Sequence, residues 1–310
     1  MVVDVSKLRI VAGLRELGLR SGQVVLVHSA MRTLGHVDGG ADAVVDAFLE
    51  VLGEAGTLVV PTFTFVHETV ADPIVDPQTD PSEMGIITET VRHRDGALRS
   101  IAYRHSFSAI GPCAKDIVSV DTAHSVFDIR SSFGVMLGLD TQVVLLGMTY
   151  QNSTSHHFGE WVCEVPYREV IGRDVRVREH DGRIQTRAML DYQPKRGADG
   201  SYYGTRGPDF NRLGRMLETR GLVGMAAIGN AAVRRFPMRE LIDLAKTEAA
   251  EDFNIFRTPE GEPEKKTPLK FGKVIISPVM FDGAGRENRY QWCVMDESKL
   301  TLPSDSQSGK

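Results

Sequence analysis

A histidine and a glutamate three residues apart carry the most reactive arrangement in this sequence. They lie in Asn152-Ser153-Thr154-Ser155-His156-His157-Phe158-Gly159-Glu160-Trp161. On a helix, His157 and Glu160 would stand at i and i+3, side by side on one face. A carboxylate beside an imidazole fixes its tautomer and stabilises the imidazolium, as a general base requires. His156 stands at i+4 from the same glutamate and competes for the role. The stretch follows the apolar run Val143-Val144-Leu145-Leu146-Gly147, and Ser153 or Thr154 is placed to cap the helix.

Two other stretches put polar side chains at the ends of expected strands. Val24-Val25-Leu26-Val27 is a continuous apolar run leading into His28-Ser29-Ala30-Met31-Arg32. Thr57-Leu58-Val59-Val60 leads in the same way into Pro61-Thr62-Phe63-Thr64. In open α/β sheets, ligands gather beyond the carboxyl ends of strands; capping of the next element is the structural alternative for His28 and Ser29. The segment 64–84 then holds Glu68, Asp72, Asp76, Asp80 and Glu83, no Lys or Arg, and prolines at 73, 77 and 81. Its length suggests a functional loop. Acids beside a site would draw a cationic substrate, whereas a solvated loop is the ordinary reading for most of them.

Elements must hold these groups in place, and 310 residues with 42% apolar and 25% charged content can bury a large core. A net charge of −5, without a long basic run, points away from nucleic acid. Cys113, Cys163 and Cys293 form no disulfide framework and no Cys-x-x-Cys pair, which fits a reducing, cytoplasmic setting. The N-terminal residues lack a signal-peptide pattern, and no apolar run approaches the ~20 residues of a membrane span. Phosphate-loop, His-Glu-x-x-His, Gly-x-Ser-x-Gly and dinucleotide glycine motifs are absent.

The expected order is a helix over 5–19, a strand at 24–27, a helix at 41–52 and a strand at 57–60. Helices are expected near 84–93, 113–120 and 133–139, then a strand at 142–147 and the His157 helix. Alternation from 170 to 177 and from 184 to 190, joined through Asp181-Gly182, reads as a β-hairpin. A helix over 209–222, a strand over 223–228 and a helix over 237–249 follow. This is an α/β (α+β layered) chain: a central mixed sheet flanked by helices, with an additional hairpin region in the C-terminal half. Residues 1–250 read as the enzyme domain and 251–310 as a partly irregular extension, with short strands at 273–276 and 290–294 and a disordered end at 304–310.

Three blocks resemble the antibiotic N-acetyltransferase family, whose members include aminoglycoside 3-N-acetyltransferases. They are Leu26-Val27-His28-Ser29-Ala30-Met31-Arg32-Thr33-Leu34-Gly35-His36-Val37-Asp38-Gly39-Gly40 with Gly56–Thr64, then Val143–Gly147 with Asn152–Glu160, and Asp209-Phe210 with Val223–Ala231. The resemblance covers about residues 5–250. It implies acetyl-CoA as co-substrate, no metal, and a primary amine of a small molecule, an aminoglycoside or other amino sugar, as acceptor. It places the catalytic pair on His157 and Glu160, with Thr154 or a strand-end N–H as an oxyanion donor. His28, Ser29, Thr62 and Phe63 would line the CoA channel, joined by Ser106, Phe107 and Ser108. Arg32, Arg104 and Arg130 are candidates for its phosphates, with surface ion pairs as their alternative. Glu68, Asp72 and Asp209 are candidates for the acceptor.

The chain departs from the family at His156, where an apolar residue is usual, and at Ser131-Ser132-Phe133, which lacks a frequent proline. The tail after about 250 has no counterpart. Partners expected are coenzyme A and a small amine, with a homodimer left open and neither nucleic acid nor membrane. Three readings follow: this acetyltransferase, the same chemistry on a biosynthetic amine that is not an aminoglycoside, or a metal-dependent hydrolase using His156, His157 and Glu160. A non-catalytic CoA-binding relative is the remaining class.

Overall fold

Every residue of Val24–Ser29 is buried, so both faces of this strand must be covered. It pairs in parallel with Gln142–Leu146 on one side and Thr57–Pro61 on the other. Around it runs a seven-stranded mixed sheet in the order Gly224–Ile228, Ala231–Pro237, Gln142–Leu146, Val24–Ser29, Thr57–Pro61, Phe107–Ile110, Leu98–Arg99. The outer pairings are antiparallel. The computed structural model describes residues 4–179, 181–196 and 207–259, together with the backbone of Leu269–Phe271, Val274–Pro278 and Gln291–Val294.

Strand alternation sends successive side chains to opposite faces. Leu26, Val59, Val143 and Leu145 enter one core with Phe133, Phe158, Leu213 and Leu241, which come from the helices Ser132–Gly138, Ser155–Val162, Asn211–Thr219 and Met238–Glu251. Val25, Val27, Leu58, Val60, Val144 and Leu146 enter the other with Ile10, Val44, Phe48 and Ile87 from Lys7–Glu16, Gly40–Leu52 and Ile86–Arg92. The mixed sheet flanked by helices is the architecture expected from the sequence.

The structure differs from the sequence expectation in several strands and in segment 64–84. Leu98–Arg99, Phe107–Ile110 and Ala231–Pro237 are strands that the sequence reading omitted. Segment 64–84 is not simply a loop: Val66–Thr69 forms a 3-10 turn, and Ile74–Val75 pairs in parallel with Arg176–Val177. It thereby joins the hairpin Arg168–Arg178/Ile184–Pro194 in a second, three-stranded sheet. After the Met238–Glu251 helix the chain turns back, and Ile255 and Phe256 enter the first core. The extension forms an antiparallel Leu269–Phe271/Val274–Pro278/Gln291–Val294 sheet. The expected positions 273 and 290, the disordered end at 304–310 and the Cys293 side chain lie outside the described residues.

Candidate active site

The site begins where the Gln142–Leu146 strand stops. Gly147 has φ +70°, a conformation that disfavours a side chain, and a Cβ there would overlap the Thr33 hydroxyl. The chain passes through a 3-10 turn, Tyr150–Asn152, into the helix Ser155–Val162. Thr154 is its N-cap residue but is already helical in φ and ψ, and its side chain makes no capping hydrogen bond. Neither does Ser153, whose buried Oγ has no partner; the expected side-chain cap is therefore not formed. The first turn is held by backbone bonds from His156 N–H to Ser153 O and from His157 N–H to Thr154 O.

One turn into this helix, His157 Nδ1 lies 2.6 Å from Glu160 Oε2. The Glu160 side chain is 2% exposed and that of His157 is 24% exposed, so the carboxylate is enclosed while the imidazole reaches the surface of the site. His156 points the other way. Its ring is fully buried, stacks on Phe210 at 5.0 Å, and has no hydrogen bond at either nitrogen. Burial pushes its pKa down to about 3. The geometry thus pairs Glu160 with His157 and not with His156.

A third group meets the pair. Arg168, at the start of the hairpin, places Nε 2.6 Å from Glu160 Oε2 and Nη2 2.8 Å from His157 Nδ1. Its guanidinium also lies over the Tyr192 ring, 5.1 Å from the centroid. Desolvation lowers the pKa of His157 and the Arg168 charge lowers it further, while Glu160 opposes both. Phe210 meets the imidazole edge-on at 4.8 Å, and Phe127 does so at 6.0 Å. His105 packs on Phe127 at 5.2 Å, and burial and Arg104 keep it neutral. A small, open cleft of about 40 Å³ lies beside this wall, lined by Tyr103, Arg104, His105, His124, Asp191 and Tyr192 among others.

The remaining predicted residues fall into groups. His28 and Ser29 end the central strand, both buried, and His28 Nε2 has no hydrogen-bond partner. Burial pushes the pKa of His28 to about 3. The Thr62, Ser106 and Ser108 hydroxyls are buried together: Ser106 Oγ donates to Thr62 O at 2.7 Å, and Ser108 Oγ donates to Thr62 Oγ1 at 3.5 Å. Phe63 and Phe107 are core residues 5.8 Å apart. Arg32 is exposed on the 3-10 turn Met31–Thr33.

The predicted charged residues are engaged with one another or with near neighbours. Arg104 faces Glu68 at 2.7 Å and Asp191 at 3.6 Å. Asp72 faces Arg176 at 2.7 Å, Asp209 faces Arg215 at 3.9 Å, and Arg130 faces Asp128 at 2.8 Å. Sequence reasoning missed Arg168, which lies two positions before the recognised alternation at Val170. Its signal was weak, because arginines also stand at 173, 176 and 178 on the same strand. Among the described residues, no three or more His, Cys, Asp or Glu side chains are grouped as a metal site would need, and no helix is long and apolar enough to cross a membrane.

The chain is similar in sequence and fold to aminoglycoside N(3)-acetyltransferases. The chain is 28% identical over 256 residues to aminoglycoside N(3)-acetyltransferase IV of Salmonella sp., covering 82% of this chain and 92% of the relative. The crystal structure of the aminoglycoside acetyltransferase AAC(3)-IVa apoenzyme superposes with a TM-score of 0.67 at 26% identity, covering 84% of this chain and 94% of that one. The fold is also that of AAC-IIIb, solved as a binary complex with CoASH, with a TM-score of 0.71 at 20% identity, covering 83% of this chain and 99% of that one. The family model for aminoglycoside 3-N-acetyltransferase matches residues 26–249, a span holding all three sequence blocks, nearly all of the central sheet and the His157–Glu160–Arg168 cluster. The chain accordingly belongs to the aminoglycoside 3-N-acetyltransferase family, a family of acyltransferases.

Proposed function

We propose that the chain transfers the acetyl group of acetyl-CoA to a primary amine of an aminoglycoside or related amino sugar, with His157 as general base and Glu160 as its orienting carboxylate. The observation that carries the mechanism is the 2.6 Å contact of His157 Nδ1 with the enclosed Glu160 carboxylate. With Nδ1–H donating to Glu160, the Nε2 lone pair is free for the substrate. The amine nitrogen attacks the thioester carbonyl as its N–H proton passes to Nε2. The carbonyl π pair moves onto oxygen, then returns as the C–S bond breaks. The CoA thiolate takes the proton back from the imidazolium, leaving amide, free CoA and neutral His157. The developing oxyanion requires a donor, for which Thr154 at the start of the same helix is the candidate. Family membership and the CoASH complex of AAC-IIIb support the donor, and the named activity of the Salmonella relative supports the acceptor class. The CoA contacts are assigned to the loop at His28 and Ser29, at the carboxyl end of the central strand.

The acids expected to receive a polycation are largely neutralised by arginines. That observation favours a second acceptor reading, an amine of lower charge. Free-CoA release, measured across a panel of aminoglycosides and simpler amines, separates the two. For the base, His157→Ala should lose roughly 10²–10⁴-fold in kcat/KM, whereas His156→Ala, if folded, should retain turnover. Full turnover in His157→Ala would overturn the assignment.

A further inference from the structure

The contacts of Arg168 are in conflict as drawn on one protonation state. Its Nη2 lies 2.8 Å from His157 Nδ1, the atom that also lies 2.6 Å from Glu160 Oε2. A guanidinium can only donate. When Nδ1 carries a proton, the approach of Nη2 sets two donors against each other. When Nδ1 is bare, it accepts from Arg168 but faces the Glu160 carboxylate as a second acceptor, and Nε2 then carries the proton, so that tautomer is not the base. The catalytic tautomer keeps Nδ1–H on Glu160 and stands uncharged beside the guanidinium. The imidazolium instead sets a second positive charge against it, which like-charge repulsion disfavours.

We infer that Arg168 is a positioning residue that sets the proton affinity of His157, holding Glu160 in place while keeping the imidazole neutral and ready to release its proton. This rests on the reading of His157 as the base. Glu160 Oε2 receives Arg168 Nε at 2.6 Å as well as His157, so the carboxylate charge is shared and less of it stabilises the imidazolium. Arg168 is itself fixed. Its side chain is 9% exposed, lies over Tyr192, and springs from a strand whose Arg168 pairs with Pro194 in register. A guanidinium so confined cannot swing away when the proton arrives.

The charged and titratable groups around His157 come from three elements: Glu160 and His156 on its own helix, Arg168 on the hairpin, and Arg104 with His105 on the segment before Phe107–Ile110. Arg104 is compensated by Glu68 and Asp191, and His105 and His156 are neutral through burial. Arg168 is the cation in direct contact with the ring.

The test is the pH dependence of kcat/KM for CoA release in wild type, Arg168→Lys, Arg168→Gln and Arg168→Met, with His157→Ala as the control for the base. Activity requires neutral His157, so the acidic limb follows its pKa. Loss of the cation should raise that pKa and move the limb to higher pH by about one unit or more in the Gln and Met variants. The Lys variant keeps a cation near Glu160 but loses the contact at Nδ1, so its limb should move in the same direction by less. The Met variant keeps the apolar stem on Tyr192, so one of the two uncharged variants suffices if the other does not fold. If neither folds, NMR titration of His157 in the Lys variant decides: Lys loses the contact at Nδ1, so its pKa should rise. A limb that stays in place while activity falls at all pH values would overturn the proposal and leave Arg168 a structural role. So would an unmoved NMR titration. Full activity in His157→Ala would instead overturn the underlying base assignment.

Discussion

Phe256 packs its ring against Gly159, the residue immediately before Glu160 on the helix that carries His157. A Cβ at Gly159 would stand 3.0 Å from Phe256 Cε1, so any side chain there would press on the ring. This contact places the chain after Glu251 in the support of the site. Phe256 is fully buried in the core beneath the helix, and Asp209 N–H donates to its carbonyl at 2.8 Å. Phe256→Ala should therefore cost about 3–5 kcal/mol in urea unfolding. Gly159→Val should cost about 1–3 kcal/mol through overpacking. A near-neutral result for both would show that the helix is not held from this side.

Acid should unfold the protein through buried histidines other than the base. Burial depresses His28 and His156 to about 3, against 6.5 for an ordinary imidazole. Between those values the unfolded chain binds protons that the native one does not. Each group then removes up to about 1.4 kcal/mol of stability per unit fall in pH. His156→Phe keeps the aromatic stack on Phe210 without the titrating nitrogens. Its unfolding free energy, measured from pH 7 to pH 4, should fall less steeply than that of wild type by one group's contribution. Identical slopes would contradict the assignment of His156 as a neutral core residue.

The segment 64–84 should be tied to the hairpin by charge. Asp72 meets Arg176 at 2.7 Å and Asp76 meets Arg178 at 3.1 Å, beside the short Ile74–Val75 pairing. Partly exposed pairs contribute about 0–1 kcal/mol each and are screened by salt. The Asp76→Asn side chain can still accept from the Gln78 and Thr79 amides, so the double variant Asp72→Asn/Asp76→Asn removes charge while keeping the local turn. Amide exchange over 66–80 should quicken by roughly tenfold, and concentrated salt should produce the same effect in wild type. Unchanged exchange in both would leave the backbone pairing as the sole tie.

What could be read in the sequence was set by how local its cause is. Val24–Val27 and Val143–Leu146 reveal themselves as strands because burial on both faces demands continuous apolar runs. His157 and Glu160 are legible because a single helical turn joins them. Ala231–Pro237 was missed because Arg234-Arg235 reads as surface. In the fold, Arg234 is 1% exposed and meets Glu218 at 2.9 Å, a partner supplied by another element. Arg168 was missed for the same reason, since its value depends on a hairpin returning it to Glu160. The acids of 64–84 suggested a cation site because their partners, such as Arg176, 104 residues beyond Asp72, cannot be inferred from composition.

Glu160 gives the most discriminating prediction, because its removal and that of Arg168 should move the same titration in opposite directions. The carboxylate raises the proton affinity of His157 while Arg168 lowers it. In Glu160→Gln the imidazolium loses its counter-charge, so the pKa falls and the acidic limb of kcat/KM moves to lower pH. In Arg168→Gln it moves to higher pH. The Gln side chain still offers an oxygen to Nδ1–H, so orientation survives better than in Glu160→Ala. Stability sets the limit of this comparison. Glu160 and Arg168 are both enclosed, and deleting one partner of a buried pair costs about 3–5 kcal/mol. Rates should accordingly be taken at a temperature where unfolding curves show each variant folded. Limbs displaced in opposite directions identify a carboxylate and a guanidinium acting on one imidazole; displacement in the same direction means that one of the two acts by altering the fold around it.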